Sequence, residues 1–195
     1  IGMGALTNLD ERAAAIRALG AIGDPRATLA ILRLLHDPSV RTDVVQALGK
    51  IADPRAASDL VATIGDPDET YRQAVVLALR LIGAPAAPAL VHALTSPNVV
   101  ERRVAAEALK TAHLPTLIQP LSAALGDRDS LVRKAAAEAL GWRGSTGSIP
   151  PLLSAFNDPD WRAVDAAIGS LSEIGPAAIG ALLATFSDAQ PVHSL

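Results

Sequence analysis

The chain has 195 residues and a formal net charge of −3; half of it is hydrophobic, 3% is aromatic, and cysteine is absent. The missing thiols exclude disulfides, thiol catalysis and cysteine metal sites. The slightly acidic balance is the reverse of the basic footprint that duplex nucleic acid requires. Gly, Pro or a charge breaks every apolar stretch short of about 18 residues, so no membrane insertion is expected.

The sequence opens at Ile1 without a secretory-type leader; the chain is read as a cytoplasmic piece of a longer array, the alternative being that Ile1 to Leu9 form a cap over the end of the stack. An anchor then recurs as Ala18-Leu19, Ala47-Leu48, Ala78-Leu79, Ala108-Leu109, Ala139-Leu140 and Ser170-Leu171, at spacings of 29, 31, 30, 31 and 31 residues. Such a period marks stacked repeats, each a helix, a short turn, a second helix and a longer turn.

In the first copy a helix from Glu11-Arg12 ends at Leu19-Gly20. Ile22-Gly23-Asp24-Pro25 then turns the chain, and a second helix carries Leu29, Leu32 and Leu35 on one apolar side. The second copy repeats the plan with Val40-Arg41, Leu48-Gly49, the turn Ile51-Ala52-Asp53-Pro54, and Leu60 with Ile64. Its Asp and Pro suit a helix start: Asp accepts from free amides, and Pro wastes no donor. Gly20, Gly49 and Gly141, directly after the anchor, are expected to end helices through positive φ.

The third and fourth copies hold Tyr71-Arg72 with Leu90 and Leu94, and Glu101-Arg102 with Leu121 and Leu125. The fifth is the fullest, with Val132, Ala136, Ala139 and Leu140 at helical spacing, but Trp142–Ser148 replaces the usual turn and puts Arg143 in an Ile slot. Leu152 and Phe156 follow. In the sixth, Ala163-Val164 stands where the others have a residue followed by Arg, with Arg162 early, Leu182 and Phe186 behind, and Gln190 to Leu195 as a tail. Asp37-Pro38, Asp66-Pro67, Ser96-Pro97, Asp127-Arg128 and Asp158-Pro159 are assigned as caps of each next first helix. No single pair buries enough to fold alone, so one domain over residues 1–195 is expected, with a core running through the stack.

The Val-Arg pair and the Ala-rich run ending in Leu-Gly resemble the HEAT repeat, in particular the short bacterial variety of phycobilisome lyases. The resemblance implies an all-α, right-handed solenoid of about six helix pairs whose Val-Arg helices line a concave side. Placed on that side, Gln73, Leu77, Val100, Arg103, Glu107, Leu131, Lys134, Glu138, Trp161, Arg162 and Asp165 become candidates for binding a protein or peptide. Large apolar groups among them supply anchors. Arg41, Arg72, Arg102 and Arg133, one per repeat near the turn residues Asp37, Asp66 and Asp127, are assigned to a ladder of charge-assisted bonds between neighbouring units.

Catalytic patterns are missing from the sequence. His36, His92, His113 and His193 fall in different units without a His-Glu pairing, and neither a GxxxxGK loop nor a triad spacing occurs. No cofactor is expected, and the function inferred is a non-catalytic adaptor, with a bilin-handling role like that of the lyases as the alternative. Oligomeric state is left open.

Overall fold

The computed structural model describes residues 3–142 and 145–188, with side chains over 8–142 and 145–185. Among them every regular element is helical, in an α-solenoid arrangement of helix pairs. The helices fall into two compact units, Ile1–Ala112 and His113–Leu195. The first unit holds α1 (Met3–Ile22), α2 (Thr28–Leu32), α3 (Arg41–Ile51), α4 (Ala57–Val61), α5 (Glu69–Ile82), α6 (Ala87–Ala93) and α7 (Val99–Leu109). The second holds α8 (Ile118–Ala124), α9 (Ser130–Leu140), α10 (Ile149–Ser154), α11 (Trp161–Ile174) and α12 (Ile179–Asp188). Arg143, Phe186, His193 and the tail from Gln190 lie outside the residues whose side chains are described.

The Asp-Pro turns act as expected, but through a tighter element. Asp24 and Asp53 accept the backbone N–H of Arg26 at 2.8 Å and of Arg55 at 3.0 Å, and the prolines open 3₁₀ turns at Pro25–Ala27 and Pro54–Ala56. The α-helical part that follows is only five residues long in α2 and α4. Asp53 is buried and also accepts a 2.7 Å bond from the Thr28 hydroxyl at the start of α2, which ties the second helix of one repeat to the turn of the next. Thr28, Ile31 and Leu35 form the buried side of the first of these segments; Leu29 is 56% exposed, so the Leu29, Leu32, Leu35 stripe is corrected by one helical step. Apolar Leu60, Ile64, Leu90 and Leu94 are buried as the spacing requires, and in the second unit so are Leu121 and Leu152.

The cap assignment shifts by two residues. Asp66 accepts the N–H of Asp68 at 2.8 Å, and Asp68 in turn caps α5 by accepting from Thr70 at 2.9 Å and Tyr71 at 3.2 Å. Ser96 and Asn98 share the work before α7, Asp127 and Asp129 before α9, and Asp158 and Asp160 before α11. The first residue of each pair closes the turn, and the second satisfies the free amides of the helix.

The glycines after the anchor serve a different purpose from the one expected. Positive φ occurs at Gly23, Ala52, Gly83, His113 and Gly175, each four residues past its anchor leucine. Gly20 and Gly49 lie inside helices, where a Cβ would stand 2.7 Å from the Ala47 Cα and 2.8 Å from the Ala78 Cα. They let α1 approach α3 and α3 approach α5 at the backbone. In the second unit Gly141 faces Ser170 of α11 in the same way, and the Ser170 hydroxyl donates to the Ala137 carbonyl at 2.8 Å.

The stretch Trp161–Thr185 reaches a mean hydropathy of 1.4 over a span-length window. It consists of α11 and α12 separated at Gly175-Pro176 and packed as a repeat pair, with Arg162, Asp165 and Glu173 along it.

Candidate functional site

The arginine ladder is built from residues 25 apart. In the first unit Arg12 reaches Asp37 at 2.9 Å and Arg41 reaches Asp66 at 2.5 Å, and in the second Arg133 reaches Asp158 at 2.6 Å. Arg12 and Asp158 are ladder members that the sequence pattern missed; the constant offset from Arg41 to Asp66 is the signal that finds both. Arg41 also reaches Asp68 at 3.3 Å and stacks over the buried Tyr71 ring at 4.3 Å, which adds a cation–π contact.

Arg72 is the departure. The next turn begins with Ser96 instead of Asp, so no carboxylate stands in its slot. It folds back to its own turn, donating to the carbonyls of Asp66 at 2.5 Å and Pro67 at 2.9 Å. Buried Arg102 likewise donates to the Ser96 carbonyl at 2.9 Å, and Arg133 to that of Asp127 at 2.9 Å. These arginines are engaged by the fold and do not form an open anion track.

The candidate binding residues occupy the solvent side of the first helices. In the first unit, Gln73 is exposed and donates to Glu69 at 3.4 Å, and Leu77 is 57% exposed one turn further along α5. Leu81, 52% exposed and four residues beyond Leu77, continues that apolar strip; its spacing marks it, although the sequence reading omitted it. On α7, Val100, Arg103 and Glu107 are half-buried, and Glu107 pairs with Lys110 at 3.0 Å.

In the second unit, Trp161 is the first residue of α11 and 73% exposed. Asp160 caps its helix by accepting the Arg162 N–H at 2.9 Å. The Arg162 guanidinium is held by Asp160 at 2.7 Å and by the Ser130 hydroxyl at 3.1 Å, and it pulls the Asp160 carboxyl well below the usual range. Leu131 is exposed at the start of α9, Lys134 pairs with Glu138 at 3.4 Å, and Asp165 is exposed. An open depression of about 460 Å³ lies against Pro159, Asp160, Trp161 and Arg162.

The two tryptophans do not share this place. The Arg162–Ser130 bond sets the N-terminal ends of α11 and α9 side by side, whereas Trp142 follows the C-terminal end of α9, about 16 Å away at 1.5 Å per residue. Trp142 is half-buried and stacks on His113, with ring centroids 6.2 Å apart. The altered turn beside it is closed by buried Ser145 and Ser148, whose hydroxyls are 2.6 Å apart. Among the described residues no three His, Cys, Asp or Glu side chains converge on a point that could hold a metal ion.

A family model for HEAT repeats matches residues 6–80, 87–172 and 118–192. That match concerns the HEAT repeat in general and does not single out the phycobilisome-lyase type. No curated protein matches the sequence. Similar solved structures include human deoxyhypusine hydroxylase in complex with glycerol, at 21% identity over 83% of this chain and 78% of that one, with a TM-score of 0.46. A designed armadillo repeat protein in complex with the peptide (KR)4 is 18% identical over 83% of this chain and 92% of its own, with a TM-score of 0.49. An engineered protein is 22% identical over 87% and 92%, with a TM-score of 0.47.

Proposed function

The chain belongs to the HEAT-repeat family, and from that premise we propose that it is a non-catalytic scaffold that binds a protein or peptide on the exposed side of its first helices. The observation that carries this reading is Trp161, a large aromatic side chain left 73% exposed at the rigidly capped start of α11. Covering a tryptophan removes on the order of 150–250 Å² from water. At about 25 cal/mol per Å², that is roughly 4–6 kcal/mol before the costs of association. Leu131 on the neighbouring helix extends the apolar contact, and the strip Leu77, Leu81 provides a second one within the first unit. The surrounding charges are already neutralised in pairs, Arg162 with Asp160 and Lys134 with Glu138, so they form a polar rim.

Preorganisation supports the same reading. The helix ends are fixed by side-chain caps and the repeats by the arginine ladder, so little ordering is required of this chain when a partner docks. The test is affinity capture from source lysate with the wild-type chain, Trp161→Ala and Arg103→Glu, each checked for unchanged helical content by circular dichroism. A protein retained by the wild type and lost by Trp161→Ala supports the scaffold reading, and equal recovery by all three overturns it. A coloured bilin recovered in place of a protein would favour the lyase-like alternative.

A further inference from the structure

The face of α11 that carries Trp161 is open because of its place within the repeat. Counted from the anchor leucine, Trp161 stands ten residues before it and Asp165 six before. In the first unit the same registers on α5 are Glu69 and Gln73, and both are exposed although α7 follows. In the second unit they are Ser130 and Lys134 on α9, neither of them buried although α11 follows, and Leu131 keeps 38% of its surface in the same setting. A repeat packed against the stack therefore leaves this register accessible.

Charge at this place is unbalanced by one carboxylate. Arg162 is held by Asp160 at 2.7 Å and Lys134 by Glu138 at 3.4 Å. Asp165 is exposed, and among the described residues no ion pair or hydrogen bond engages its side chain. Trp161 and Asp165 are four residues apart on one helix, so their Cβ atoms lie about 5–6 Å apart on the same side. An indole face beside an unpaired carboxylate matches one side chain above others: a guanidinium is flat enough to stack on the ring, and its N–H groups reach a carboxylate at the ring's edge. The fold itself contains that combination, since Arg41 stacks over Tyr71 at 4.3 Å while it binds Asp66 and Asp68.

We infer that the segment docked on α11 is basic and presents an arginine, stacked on Trp161 and paired with Asp165, with an apolar residue beside it on Leu131. This rests on the scaffold reading above and names the chemistry of its partner. An acidic segment would meet Asp165 as a like charge, and a purely apolar one would cover that carboxylate without giving it a partner. Lysine carries the charge without the plane, so it is taken less well.

The experiment uses the isotope-labelled 195-residue chain and Gly-Ser peptides that carry Arg-Leu, Lys-Leu, Glu-Leu or Leu-Leu at their centre. The chain has two tryptophans, so two indole N–H signals in a proton–nitrogen correlation spectrum follow each titration, and Trp161→Ala identifies which is which. The Arg-Leu peptide is expected to move the Trp161 signal and leave Trp142 in place, Lys-Leu to bind more weakly, and Glu-Leu and Leu-Leu to leave both signals where they are. Asp165→Asn is expected to weaken the Arg-Leu peptide about threefold. Glu173→Gln removes the same charge about 12 Å further along α11 and is expected to leave the affinity unchanged. Circular dichroism checks that both variants keep their helical content. Leu-Leu binding as well as Arg-Leu, the two carboxylate variants behaving alike, or no peptide moving the Trp161 signal would overturn the inference. Those outcomes leave the scaffold reading standing, because it falls on its own test, equal capture from lysate with and without Trp161.

Discussion

Arg133 on α9 grips Asp158, ahead of α11, through two parallel bonds, Nε to Oδ2 at 2.6 Å and Nη2 to Oδ1 at 2.8 Å. Both side chains are nearly buried, at 12% and 7% exposure, and the guanidinium holds the Asp158 carboxyl below its ordinary pKa. Arg133→Ala leaves that carboxylate buried without its partner and is expected to cost about 3 kcal/mol. Arg72→Ala, which removes only bonds to two turn carbonyls, is expected to cost about 1 kcal/mol. Urea midpoints of the two variants compare them directly, and equal losses would show that the carboxylate is not what matters.

Gly49 and Gly169 are both helical glycines, but they answer to different forces. At Gly49 a Cβ would meet the Ala78 Cα at 2.8 Å, whereas at Gly169 nothing lies within 4 Å. Gly169→Ala is therefore expected to stabilise the protein by about 0.5–1 kcal/mol through helix propensity. Gly49→Ala gains the same propensity and is still expected to lose roughly 1–3 kcal/mol net by forcing α3 from α5. Thermal melts of the pair should move in opposite directions.

Ala52 holds φ at 55°, in the slot where Gly23, Gly83 and Gly175 sit at 74° to 79°. An alanine in that region costs roughly 1–2 kcal/mol, partly offset by the greater freedom of glycine in the unfolded chain. Ala52→Gly is expected to raise stability by about 0.5–1 kcal/mol, measured as a higher denaturant midpoint with an unchanged slope.

Acid should destabilise the fold in a defined window. Asp24 is lowered to about 2 by bonds from Arg26, and Asp53 and Asp160 are pulled down by Arg55 and Arg162 in the same way. The folded state thus binds fewer protons than an unfolded chain whose carboxylates titrate near 3.9. The stabilisation is complete above that value and is lost as pH falls through the folded values. The melting temperature is expected to be flat from about pH 7 to pH 5 and to drop steeply below about pH 4. In Asp158→Asn it should start lower and fall less, and an unchanged acid slope would remove Asp158 from the account.

The repeat itself was legible because its marks recur in register: the anchors, the Asp-Pro turns and the Arg of each copy. What escaped was whatever depends on a neighbour in space. Gly20 and Gly49 looked like helix ends, since sequence shows a missing side chain but not the Ala47 or Ala78 backbone that requires it to be missing. Asp66 and Asp68 are both plausible caps, and only the bond from Thr70 to Asp68 assigns the role. Leu29 and Ile31 are equally apolar, and the 3₁₀ turn at Pro25–Ala27 rotates the helix start so that Ile31 faces inward. Of the candidate face, Leu77, Leu131 and Trp161 were visible as large apolar residues at polar positions. That Arg162 is bound to Asp160 and Ser130 was not visible, because Ser130 lies 32 residues away.

Asp158 serves two masters with one carboxylate: its Oδ1 accepts both the Asp160 amide and an Arg133 guanidinium N–H. The turn that starts α11 is therefore completed by a residue of α9, the first helix of the preceding repeat. Each new repeat begins on a template supplied by the last, so growth of the ordered region along the chain is favoured over nucleation at an isolated repeat. A break at one such carboxylate would act as an insulator, splitting a single cooperative melt into two.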